Sequence, residues 1–103
     1  MKFVETDFKD FNITPELLAI INDAEQVDEI CEMSEVEVDT AKIRFLIKST
    51  FEYVSNVKDT VAEVNLFIHQ YLFETAELIQ KETDIKKYCT YLFAMNEFTK
   101  YIR

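Results

Sequence analysis

Val64-Asn-Leu-Phe-Ile-His-Gln-Tyr-Leu-Phe73 decides the fold. Seven of these ten residues are apolar, and a helix drawn through them carries apolar groups on almost every side. A helix that is apolar all round is buried all round, so this stretch is expected to form the element on which the others pack. The pattern extends in both directions. Ile47, Val54, Val57, Val61, Val64, Ile68, Tyr71 and Leu78 follow steps of three and four, with only Thr50 and Thr75 interrupting the series.

A single helix over residues 40 to 81 would be about 60 Å long by helix rise and would outreach its neighbours. Two helices are therefore expected, with a break near Asn56 to Asp59, because Thr60-x-x-Glu63 offers a fresh capping box. Asp39 or Thr40 caps the first of them.

Upstream, Thr14-Pro15-Glu16 is a helix start: the hydroxyl caps, proline suits the first helical position, and an acid suits the positive end of the dipole. The stripe Leu17, Ile20, Ile21, Ala24, Val27, Cys31 continues from it, giving helix across 15 to 33. Asp23-x-x-Gln26 is a possible second start that would kink or split this helix. Residues 1 to 13 place Val4, Phe8 and Phe11 at helical spacing with Phe3 beside them, and a short helix or an arm would bury the three phenylalanines. Ser34 to Asp39 is read as a connection carrying helical turns, because Ser34-x-x-Glu37 also has the form of a capping box. Thr83 or Asp84 starts a last helix with Ile85, Tyr88, Leu92, Met95 and Ile102 on one face. The fold class is all-α, a compact bundle of four or five helices with a central buried helix, in one domain over residues 1 to 103.

Composition narrows the function. The chain has 103 residues, 49% of them hydrophobic, with no glycine, one proline and a net charge of -9. Without glycine, loops that bring backbone close around a phosphate are excluded. No apolar run exceeds five residues, against the roughly 20 needed to cross a bilayer, and the acidic N-terminal segment is unlike a secretory signal. A cytoplasmic protein with no membrane partner is expected. Cys31 and Cys89 stand alone in sequence, without metal-knuckle or redox-pair spacing, and read as reduced core thiols, with a single disulfide as the alternative.

Charge is divided unevenly. Residues 1 to 39 hold 12 acids and two lysines, whereas residues 40 to 103 hold eight acids and nine bases. Eight of the acids fall between Asp23 and Asp39, a run of seventeen residues without one base. If residues 24 to 38 are helical, Glu25, Asp28, Glu29, Glu32 and Glu35 form one stripe, and Glu37 and Asp39 extend it. Carboxylates would then recur about every 3 Å of helix axis, close to the spacing of about 3.4 Å between phosphates along one DNA strand. The bland alternative is a solvated face that only keeps the chain soluble. The functional one is a surface for a basic protein partner.

Other chemistry is poorly served. His69 has Asn65 and Phe73 four residues away on either side, with no nucleophile or orienting carboxylate at helical spacing, so it reads as a core or boundary imidazole. A calcium loop would need a glycine turn. No metal site, cofactor or catalytic residue is expected, and the chain is read as a non-enzyme. Lys86, Lys87 and Lys100 interleave with aromatic rings, but direct nucleic-acid binding would oppose the overall negative field. Tyr91 and Phe98, off the main stripe of the last helix, are candidates for a protein or dimer contact.

These readings point to a small acidic inhibitor or antidote that occludes the basic groove of a nucleic-acid-acting or toxic partner, in the manner of a phage anti-defence or immunity protein. The alternative is a homodimeric structural or adaptor module joined along the valine-rich seam.

Overall fold

The computed structural model describes residues 2 to 103. Its five α-helices are α1 (Pro15–Asp23), α2 (Val27–Met33), α3 (Thr40–Val57), α4 (Val61–Lys81) and α5 (Ile85–Thr99), with short 3-10 turns at Glu5–Phe8 and Ala24–Gln26. No strand occurs among the described residues, and none of their helices is long and apolar enough to cross a membrane. The radius of gyration is 13.4 Å, as expected for one compact unit of this length.

Most helix boundaries follow from local chemistry. Thr14 accepts the Leu17 amide ahead of Pro15, Asp39 accepts that of Lys42, Thr60 that of Glu63, and Asp84 that of Lys86. Each cap satisfies a donor that the first helical turn leaves without a partner. Residues 40 to 81 thus form two helices, and the break falls at Lys58, Asp59 and Thr60, where the backbone turns extended.

The anticipated split in residues 15 to 33 occurs, without the proposed cap. Asp23 makes no capping hydrogen bond; the chain instead tightens into a 3-10 turn at Ala24–Gln26. In a 3-10 turn, side chains three apart eclipse, so Ile21, Ala24 and Val27 align in one column, and each is 1% exposed. Packing, rather than a breaker residue, sets this joint.

The central helix is α5. It packs against α1, α2, α3 and α4, and Leu92, Phe93, Ala94, Met95, Glu97 and Phe98 are all buried, which closes every side of its second half. The expectation that α4 is buried all round is not met, because Leu66 and Leu78 stay 44% and 54% exposed. Only its inner face, Ile68, Leu72, Thr75, Ala76 and Ile79, is sealed. Ile85 also departs from its expected place on the inner face of α5. Phe98 is fully buried, between Phe67 and Tyr71, so it is no contact residue for a partner; Tyr91 is half-buried against the core.

One charge lies inside this layer. Glu97 is 7% exposed, and its Oε1 accepts from Lys100 Nζ at 2.7 Å and Arg44 Nε at 3.4 Å. The Arg44 guanidinium also lies over the Phe93 ring, 5.2 Å from its centre. Two half-exposed cations thus neutralise a carboxylate that burial would otherwise penalise.

Both terminal segments are pinned to the bundle. Asn22 clamps the backbone of Phe3, accepting its amide at 2.7 Å and donating to its carbonyl at 3.1 Å. Phe3 and Phe8 are buried, and Phe11 stacks on Phe73, while Val4 points outward. At the other end Asn65 holds the Arg103 backbone in the same two-bond fashion, and Tyr101 stacks on Phe51 at 4.5 Å.

Ser34 to Asp39 does not carry the expected helical turns. The Glu35 amide bonds to Glu32 O and the Val36 amide to Cys31 O, the two-bond pattern that ends a helix with one left-handed residue. Glu35 takes that position, with φ 55. Glycine favours it, and this chain has none. Substituting Glu35→Gly is therefore expected to stabilise the fold by up to about 1 kcal/mol and to raise Tm by several degrees, whereas Glu35→Val should lower it. Thermal melting of the two variants checks the assignment; equal losses in both would contradict it.

Candidate functional site

Seven carboxylates were expected to share one surface, and the fold distributes them over three local structures. Asp28, Glu29 and Glu32 lie on α2, whose inner side carries Val27, Ile30 and Cys31. With Val27 and Cys31 turned toward α5, helical geometry puts these three acids on the opposite, solvent side, where all are exposed. Glu25 sits in the 3-10 turn before α2, also exposed. Glu35 occupies the left-handed position after it, and Glu37 and Asp39 follow in the connection to α3.

The seventeen-residue acidic helix therefore does not exist. α2 ends at Met33, so the comparison with regular phosphate spacing reaches no further than Asp28, Glu29 and Glu32. Asp39 has a structural task as well, since one of its oxygens caps α3 at 3.1 Å from the Lys42 amide. What survives is a cluster on one edge of the molecule, built on α2 and continued by its two flanks.

Local electrostatics accounts for part of this cluster. Asp28 and Glu29 stand in the first turn of α2, where acids are favourable to the dipole. Glu32 and Glu35 stand at the other end, where a cation would be favoured, and the last turn of α2 holds no base. The ion pairs among the described residues both belong to Glu97, and none involves Asp28, Glu29, Glu32, Glu35 or Glu37. Beside them Met33 is 85% exposed. Sequence reasoning passed over this methionine as part of a helix; only its place in the last turn of α2 shows that it faces outward.

The remaining candidates have structural surroundings. His69 is half-buried, with its ring edge-on to Phe8 at 5.3 Å and to Phe3 at 5.9 Å between centres. Burial lowers its pKa below the usual 6.5, against smaller opposite pulls from the Asp7 carboxylate and a hydrogen bond to the Asn65 backbone. Cys31 and Cys89 are free thiols, Cys31 half-buried on α2 and Cys89 buried on α5. Burial first, then the Cys89 hydrogen bond and charge and the Asp28 charge, push the Cys31 pKa up to about 12. It is a protonated thiol at neutral pH and a poor nucleophile. Among the described residues, no group of three or more His, Cys, Asp or Glu side chains is placed to hold a metal ion.

Much of the valine-rich seam is spent inside the chain. Ile47, Val54 and Ile68 are buried in the bundle, and Val64 and Tyr71 are packed against its core; Val57, Val61 and Leu78 remain exposed. A small recess of about 190 Å³ lies between the start of α4 and the end of α3, lined by Phe51, Ser55, Lys58, Val64, Asn65 and Arg103. It is remote in sequence from every acid of the cluster. Compared with protein-family models, with curated proteins and with solved structures, the chain matches none of them.

The environment of His69 has a measurable consequence. Its folded pKa lies below its unfolded value of 6.5, so the unfolded chain takes up the proton first. The contribution of neutral His69 is fully present above pH 6.5 and is lost as pH falls through the window down to the folded pKa. His69→Phe should remove that part of the pH dependence of Tm while leaving the effects of the carboxylates; an identical slope in both proteins would contradict the assignment.

Proposed function

We propose that this chain is a small acidic protein-binding inhibitor or antidote, which occludes the basic groove of a nucleic-acid-acting or toxic partner. A phage anti-defence factor or an immunity protein acts in this way. The observation that carries the reading is the placement of Glu32 and Glu35 at the negative end of α2. Neither is called for by the helix, and neither has an ion pair among the described residues. A cationic surface brought against α2 would relieve their mutual repulsion, and that of Asp28 and Glu29, in a single step.

The mechanism is steric and electrostatic. Glu25, Asp28, Glu29, Glu32, Glu35 and Glu37 supply the charge, with Asp39 at the margin through the oxygen that it does not use in capping. Met33 adds an adaptable apolar anchor at the centre of a patch otherwise made of carboxylates. Long-range attraction between the acidic edge and a basic groove speeds encounter and makes affinity fall as salt rises. The rigid attachment of α2 to α5 through Val27 and Cys31 keeps the cost of ordering the surface low.

Exchanging Glu32→Lys separates this role from a structural one. A lysine at the end of α2 completes the dipole and should stabilise the isolated chain by about 0.3 to 1 kcal/mol. The same change, combined with Glu29→Lys, should abolish salt-sensitive capture of a basic host protein and restore that protein's binding to nucleic acid. Capture unchanged by the double reversal would sink the assignment of the acidic edge.

A further inference from the structure

A second surface of the molecule is left without a counterpart by everything above. On α3, Phe45 and Tyr53 are 68% exposed, and Leu46 and Val57 are 50% and 54% exposed. Ile43, Ile47, Phe51 and Val54 occupy the inner side of the same helix, so these four large side chains fall together on its outer half. Four bulky apolar groups along one helix face exceed the scattered exposure that a soluble domain ordinarily shows. The charge around them is opposite to that of the chain as a whole. α3 carries Lys42, Arg44 and Lys48 against the single acid Glu52, with Asp39 before it and Lys58 and Asp59 after it. Arg44 is engaged by Glu97, which leaves Lys42 and Lys48 exposed beside the apolar groups.

We propose that the outer face of α3 docks the acidic α2 edge of a second copy of this chain, head to tail. The two surfaces are complementary in both respects. Asp28, Glu29 and Glu32 meet Lys42 and Lys48, and the exposed Met33 is received among Phe45, Leu46 and Tyr53. A symmetric pairing of α3 with α3 satisfies only half of this, because it brings two sets of lysines to one interface with a single acid from each side.

The size of the face sets the strength of the contact. α3 is about 27 Å long and about 10 Å wide, which gives about 300 Å², well below the roughly 800 Å² per partner of a stable interface. Association is therefore weak, driven by concentration and lowered by salt. The pair keeps one free face of each kind, α3 on one copy and α2 on the other, so the contact propagates beyond a dimer unless the rotation closes a ring. The inference does not rest on the inhibitor reading, since its own half of the contact is α3, which that reading leaves idle. A basic partner that occupies α2 would cap the association.

Sedimentation velocity tests the proposal with two variants, Phe45→Ser with Tyr53→Ser on α3, and Glu29→Lys with Glu32→Lys on α2. All four positions are exposed, so both proteins should melt as folded domains. The natural chain should sediment faster than a dimer as its concentration rises from micromolar to millimolar. It should return to monomer at about 1 M salt, where the screening length is about 3 Å. Each variant alone should be monomeric, and an equimolar mixture should form a heterodimer that grows no further, since one chain retains its α2 face and the other its α3 face. In the natural chain, the amide resonances that shift with concentration should lie on both α2 and α3. A natural chain that stays monomeric to millimolar concentration, a mixture that stays monomeric, or association that survives the α2 reversal would each overturn it. Self-association lost on the α2 reversal while partner capture is kept upholds this contact and overturns the inhibitor reading, which separates the two uses of α2.

Discussion

Everything in this molecule is referred to the second half of α5. Leu92, Met95 and Phe98 have no exposed surface, Phe93 and Ala94 little, and each of the other helices lies against α5. Burying a large apolar side chain contributes about 1.5 to 3 kcal/mol, so this one segment contributes on the order of the net stability of a typical domain and is opposed mainly by chain entropy. The constraint has a second effect. A helix closed on every side tolerates a charge only if the charge is matched, and Glu97 is held by Arg44 from α3 and Lys100 from its own end. Ile43, Ile47, Phe51 and Val54 set which side of α3 turns inward, and so which residues it leaves outside.

The same core decides what α2 presents. Val27 lies in the core and Cys31 packs against it where α2 meets α5, and a helix of seven residues has only one other face to offer. That face is acidic throughout except for Met33. The connection after α2 bends away through Glu35 in the left-handed region rather than continuing the helix, which spreads the remaining carboxylates around an edge instead of along a line.

Much of this architecture was legible from residues whose effect is local. Thr14 before Pro15, Thr60 before Glu63 and Asp84 before Ile85 announce helix starts because a cap needs only a side-chain oxygen and an amide two or three residues on. The all-α class and the break between α3 and α4 followed from them. Ser34 and Asp23 had the same form and do not cap: after Asp23 the chain tightens into a 3-10 turn, and after Ser34 the left-handed Glu35 ends α2. Which helix is central was not legible. Apolar residues surround both the middle of α4 and the second half of α5, and periodicity cannot say which of two such segments has neighbours on every side. The exposure of Leu66 and the burial of Phe98 are the two faces of that ambiguity. For the acidic cluster, the charges were plain and their geometry was not, since it depended on a helix end that lacks the glycine by which such ends are recognised.

On and beside α2, Asp28, Glu29, Glu32 and Glu35 repel one another, and none of them takes part in an ion pair among the described residues. The dependence of thermal stability on salt measures this directly. Between about 0.01 M and 0.15 M ionic strength the screening length falls from about 30 Å to about 8 Å, so repulsion along the edge weakens. Tm should rise over that range in the natural chain, and the rise should be flattened when Glu29 and Glu32 are replaced by glutamine. A Tm that falls with added salt would mean that the electrostatics of the folded chain is attractive on balance, with its carboxylates already paired, and would contradict the account.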